Sequence, residues 1–202
     1  METRSTNGNV ELREDGDVQQ IVGLAAVFYR SDDPGTEYSL YDDINERIMA
    51  TAFDRALAEK HDVRALFNHD ANIVLGRSTS GTLTLEKTKR GLPYTIDPPD
   101  TQQARDIITM MKRGDVSGSS FSFLAKDVSW REQDSLLIRE VRDVDLYDVC
   151  PVTYPAYKSS TSGVRSDRKM LLNEADQYIE RHKRPDKRHY AARLLVAKSK
   201  SV

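Results

Sequence analysis

A serine hydroxyl attacks a carbonyl at neutral pH only when a neighbouring base takes its proton, and that base is commonly a histidine oriented by a third group. The chain has four histidines. His61 falls at the end of a charged helical stretch, and His182 and His189 fall in a basic tail. His69 alone stands where an apolar run, Val63-Arg64-Ala65-Leu66-Phe67, meets a cluster of turn formers, Asn68-His69-Asp70-Ala71-Asn72. A base held at a strand end by a loop is well placed for chemistry.

A candidate nucleophile, Ser120, lies 51 residues further on. Val116-Ser117-Gly118-Ser119-Ser120-Phe121-Ser122-Phe123-Leu124 alternates small hydroxyl residues with phenylalanine, a strand pattern that puts Ser120 and Ser122 on one face. Glu140, Asp143, Asp145 and Asp148 follow as candidates for the third group. If Val144, Leu146 and Cys150 face the core, Asp148 shares their face, and a buried carboxylate needs a partner such as a histidine N–H. Asp148 is therefore the preferred third member and Asp145 the alternative. Each residue also has a quieter reading: His69 as a turn histidine bonded within its loop, Ser120 as a hydroxyl satisfying a strand neighbour, Asp148 paired with backbone, Arg139 or Arg142. An oxyanion would need backbone N–H groups near the nucleophile or on an adjacent loop, or an arginine.

The elements that must position these residues are read from periodicity. Residues 20–29 form a short apolar run of strand formers that ends at Ser31-Asp32-Asp33-Pro34-Gly35. Thr51 is placed to cap a helix through Lys60, with Phe53, Ala56 and Leu57 on one face. Thr82 to Leu85 and Leu92 to Ile96 read as a hairpin turned by Lys89-Arg90-Gly91. Asp100 or Thr101 caps a helix whose Ala104, Ile107, Ile108 and Met111 recur at helical spacing up to Arg113-Gly114. Leu136 to Ile138 and Val141 to Val152 continue the strand pattern, with Pro151 and Pro155 at strand ends. The expected architecture is one strand-rich domain with two or three helices over residues 17–157. Residues 1–16 are polar and aperiodic and are expected to form a flexible leader. Residues 158–163 read as a linker, and 167–181 and 187–200 as charged helices of a tail.

Composition narrows the function classes. The 202 residues carry a formal charge of −2, but 158–202 hold a net +7, leaving −9 in the remainder. A single cysteine, Cys150, makes an internal disulfide impossible and a zinc site unexpected. No apolar run approaches a membrane span, and the polar start lacks a secretory signal core. The basic tail has few aromatics to stack on bases, so nucleic acid is not an expected partner.

Several segments together resemble a known family. Leu66-Phe67-Asn68-His69-Asp70 followed by Leu75-Gly76-Arg77 is similar to the histidine motif of the prohead proteases of tailed phages. Lys112 to Phe123 resembles their nucleophile block, a Gly-Asp turn leading into a Ser-Phe-Gly-Phe-like strand, with the serine at Ser120. Asp145 to Tyr157 resembles the closing block with its Pro-Ala pair. The resemblance spans roughly residues 20–157. Ser122 stands where glycine is frequent and Cys150 where serine is common, and neither change removes a reacting group.

What the resemblance implies is a serine endopeptidase with Ser120 as nucleophile, His69 as base and Asp148 as third member, needing no cofactor or metal. Its substrates would be the major capsid protein, the scaffold and the protease itself, inside the prohead in the host cytoplasm. A similarity of this family to herpesvirus assembly proteases implies an α+β fold, a compact β-barrel with two or three surrounding helices. The competing reading is a non-enzymatic capsid-assembly or scaffolding factor of the same fold.

Overall fold

The computed structural model describes residues 1–6, 10–15, 18–154 and 167–182. It is strand-rich, 51% strand with few helices, in keeping with an α+β class. The strands are β1 (Glu2–Thr6), β2 (Glu11–Asp15), β3 (Val18–Val27), β4 (Tyr38–Tyr41), β5 (Ile44–Ile48), β6 (Arg64–Phe67), β7 (Asp70–Arg77), β8 (Leu83–Leu85), β9 (Gly91–Ile96), β10 (Gly118–Gln133) and β11 (Leu136–Val152). The α-helices are α1 (Asp54–Ala58), α2 (Gln102–Arg113) and α3 (Arg168–His182). None of these helices is long and apolar enough to cross a membrane.

Two sheets carry the fold. The larger runs β1-β10-β11-β5-β4, with β6 also on β11 and β7 on β6, and the smaller runs β2-β3-β9-β8. Among the described residues neither closes on itself, so the expected barrel is not seen as a closed structure. The reason lies in β11, which is long enough to serve two partners in succession. Its first part pairs in parallel with β5, from Leu137 opposite Ile44 to Val141 opposite Ile48. Its last part pairs in parallel with β6, Asp148 opposite Arg64 and Val149 opposite Ala65. The chain crosses between these two partners through α1, whose Ala56 is buried, and the shared flank of β11 is used up without a ring of strands.

The sequence reads 136–138 and 141–152 as separate runs, but they form one strand. It is tied to β10 by a two-residue turn, Asp134-Ser135, with both residues at positive φ. That mirror-image turn matches the twist of a long antiparallel ribbon. The core between the sheets contains Ile21, Phe28, Phe53, Leu92, Ile96, Phe121, Phe123, Val144 and Leu146. Helix α2 adds Ala104, Ile107, Ile108 and Met111, capped by the Thr101 hydroxyl at its start and left-handed Gly114 at its end, as its pattern predicts. Helix α1 is shorter than expected. Thr51 does not cap it, because its hydroxyl donates instead to the carbonyl of Arg142.

Two boundary expectations are corrected. Residues 2–6 and 11–15, read as a flexible leader, are strands β1 and β2. Polarity misleads here because β1 turns Glu2 and Arg4 inward, where they meet Glu46 and Arg139 rather than solvent. Residues 168–182, read as part of a detached tail, pack on the domain as α3. Leu171 and Ala175 join Leu40, Ile44 and Trp130 in a second core, and Glu174 accepts from Trp130 Nε1 and Arg139. The expected linker and the second tail helix lie outside the described residues.

Close strand packing at one glycine has a measurable consequence. A Cβ at Gly91 would sit 1.9 Å from the Ala26 carbonyl oxygen of the neighbouring strand. Gly91→Ala is expected to cost about 1–3 kcal/mol, lowering the melting temperature by roughly 2–12 °C. Circular dichroism melting checks this, and an unchanged melt would show that β3 and β9 separate there without cost.

Candidate active site

His69 sits in the tightest part of the β6–β7 hairpin. Phe67 pairs with Asp70, so Asn68 and His69 are the whole turn, and both have positive φ, 53° and 58°. The expected open loop over 68–72 is thus a two-residue turn with β7 starting at Asp70. Asn and His tolerate the left-handed region better than most side chains. Asn68 fastens the turn to the end of β11: its N–H donates to the Pro151 carbonyl at 3.1 Å, and its Oδ1 accepts from the Thr153 N–H at 3.0 Å. Asn68 enters the sequence reading as a turn former and as part of the histidine motif, and nothing in its type signals the long-range anchor.

Ser120 projects from β10 on the face opposite Phe121 and Phe123. Those two rings stack at 5.1 Å, and Phe53 packs edge-on against Phe121 at 5.6 Å, so the back of the serine strand is held by aromatic contacts. On the front, His69 Nε2 lies 2.7 Å from Ser120 Oγ. Its Nδ1 lies 2.6 Å from Asp148 Oδ1. A carboxylate accepts only, so Nδ1 carries the proton and Nε2 is left with its lone pair toward the serine. The remaining Asp148 oxygen accepts from the Ser122 hydroxyl.

Asp148 reaches this face because β11 bulges. Ser122 pairs with Asp148 but Phe123 pairs with Leu146, leaving Tyr147 extra. Val144 and Leu146 belong to the main core, whereas Cys150 clusters with Leu66 and Val152 on the other side. The bulge thus puts Asp148 on the face of Ser120 and Ser122, not on that of Val144 and Leu146 as strict alternation predicts. Asp145, the alternative, is elsewhere: it pairs with Arg55 at 2.6 Å, and that bond holds its carboxyl below the usual carboxylate range. Arg139 and Arg142 do not pair with Asp148 either, being bonded to Glu46 and Asp127 among others.

Among the described residues, His69, Asp148 and Cys150 form the one cluster of metal-binding side chains, with donor atoms within 4.8 Å of one another. Its chemistry does not suit a cation. Both imidazole nitrogens are engaged, and burial pushes the Cys150 thiol well above its ordinary value, with the nearby Asp148 charge adding to it. The arrangement is suited to proton transfer from a hydroxyl to an imidazole braced by a carboxylate.

Comparison with known families agrees with that chemistry. Residues 8–173 match the caudovirus prohead serine protease family. The chain belongs to that family. The match extends beyond 20–157 at both ends and takes in β2 and the first part of α3, while β1 precedes it. Neither the curated proteins nor the solved structures give a match. At the level of the family, a prohead protease serves capsid maturation in the host cell, in association with prohead components.

Sequence reading gives the Ser122 hydroxyl no role at the site of this family member. Asp148 is only 5% exposed, so losing that donor leaves one carboxylate oxygen without compensation and free to turn from His69. Ser122→Ala is expected to lower kcat about 10- to 100-fold, the worth of a hydrogen bond to a charged group, with little change in KM. Steady-state kinetics on a capsid-derived peptide measures it, and an unchanged kcat would mean that Asp148 needs no second brace.

Proposed function

We propose that this chain is a capsid-maturation endopeptidase that works through an acyl-enzyme on Ser120. The observation that carries the reading is the hydrogen-bonded series Ser120, His69 and Asp148, at 2.7 and 2.6 Å, in a member of the prohead protease family. His69 takes the hydroxyl proton as Oγ attacks the scissile carbonyl and returns it to the departing amine. Asp148 keeps Nδ1 protonated and stabilises the imidazolium that forms. Water activated by the same histidine then releases the acyl group. The substrates are the major capsid protein and the scaffold of its phage within the assembling prohead, and the protease chain itself.

The test is to co-express the chain with the major capsid protein and scaffold of its phage and follow all three by intact mass. Fragments of the shell or scaffold protein that depend on an intact Ser120 are expected. Unaltered masses in particles that have assembled would instead point to the non-enzymatic assembly factor.

A further inference from the structure

Ser120 is fully buried, and the chain's own first strand pairs directly beside it. β1 lies antiparallel to β10 with Ser5 opposite Ser120. The Ser5 hydroxyl is 3.2 Å from Ser120 Oγ, and the carbonyl oxygen of Arg4 is 2.9 Å from it. An extended backbone thus runs past the nucleophile in the place where an incoming polypeptide would have to lie.

From this we infer that the edge of β10 beside Ser120 is a docking site for an extended polypeptide, and that residues 2–6 occupy it in the resting protein and must leave before substrate enters. The inference rests on the protease reading of Ser120. Three observations support it.

The first is proton bookkeeping. A serine hydroxyl has one hydrogen, and with β1 in place two acceptors compete for it, His69 Nε2 at 2.7 Å and the Arg4 carbonyl at 2.9 Å. A hydrogen turned toward Arg4 is withheld from the base, so the docked strand blocks access and disarms the nucleophile together.

The second is that the strand is held by a detachable fastening. Arg4 Nε and one terminal nitrogen contact Glu46 at 2.6 and 2.9 Å, its guanidinium also meets Glu2, and it lies over the Phe123 ring. Arg139 contacts Glu2 and Glu46 at 2.8 and 2.6 Å and Glu174 of α3 at 3.1 Å. When β1 departs it takes one cation and one anion, Arg4 and Glu2. Arg139 keeps Glu46 and Glu174, so no lone charge is stranded in the domain.

The third is sequence placement. The family match begins at residue 8, so β1 lies outside the matched segment while the strand that it covers lies inside. The partner that fits the vacated edge is a second extended segment with a small residue opposite Ser120 and, one position before it, a cation that reaches the Glu46 carboxylate, the pattern Thr-Arg-Ser-Thr displays.

The experiment cuts the cover away. A recognition sequence for a site-specific protease is inserted between Thr6 and Val10, and a fluorophosphonate probe reports the reactivity of Ser120 in the folded full chain before and after cutting and gel filtration. Labelling on the order of 100-fold faster after the cut is expected, as for a site open about 1% of the time when covered. Adding back a synthetic Met1–Thr6 peptide should restore slow labelling, and the same peptide with Arg4→Glu, which sets a carboxylate against Glu46, should not. An uncut Arg4→Met chain, which keeps the Arg139–Glu46 pair, should also label faster, and an unfolded chain cannot mimic this because it lacks the His69 contact. Equally fast labelling of cut and uncut chains would overturn the inference and leave the protease reading standing. No labelling of either form, with tight binding of a fluorescent Met1–Thr6 peptide to the cut chain, would support the docking edge and remove the reactive serine. No labelling and no peptide binding would overturn both.

Discussion

Replacing Ser120 by alanine is expected to slow cleavage of the capsid protein by about 10⁶-fold, and replacing Asp148 by asparagine by about 10⁴-fold. The first loss is that of the attacking atom. The second is subtler, because Asp148→Asn keeps the shape. An amide can turn its NH₂ toward Nδ1, which then keeps its lone pair and leaves the proton on Nε2, the nitrogen 2.7 Å from Ser120. An imidazole protonated there cannot accept from the hydroxyl. Asp145→Asn, at the alternative carboxylate, breaks a pair with Arg55 and is expected to leave the rate within a few-fold. Single-turnover cleavage followed by mass spectrometry ranks the three variants. Equal losses at Asp145 and Asp148 would contradict the assignment of the third member.

Glu46→Ala is expected to have the largest effect on stability, about 3–5 kcal/mol, because it breaks a buried ionic network from its centre. Glu46 is fully buried and contacts both Arg4 and Arg139, each 1% exposed. Removing it leaves two guanidinium groups in the interior with Glu2 and the more exposed Glu174 as their remaining carboxylates. Urea titration should show the midpoint fall with the slope unchanged. A loss below about 1 kcal/mol would place the network in the class of surface pairs. Glu174→Ala, at the rim of the same network, should cost less, since its side chain is 29% exposed.

How much of this was legible in the sequence depended on distance along the chain. Helix α2 announces itself through Thr101, Gly114 and four apolar residues within three turns, all local signals. Ser120 and His69 are likewise selected by residue type and by the strand and turn on which they sit. Asp148 is selected as well, but through an alternation that the bulge at Tyr147 interrupts, and a bulge is set by the partner strand rather than by the residues that form it. β1 and β5 stay hidden because Glu2, Arg4, Glu46 and Arg47 are buried charges whose partners lie elsewhere, up to 137 positions away for Glu2 and Arg139. β7 is hidden for a different reason: its first residues, Asp70-Ala71-Asn72, are exposed turn formers that a strand accommodates only at an edge.

The two partners of β11 also set a clock. His69 and Asp148 are 79 residues apart, and β5 and β6 must both wait for β11 to be made before either finds its parallel neighbour. At translation rates of about 5–20 residues per second, His69 exists for roughly 4–16 s before Asp148 is made. A newborn chain therefore lacks the carboxylate beside His69 until its last long strand, β11, has been made.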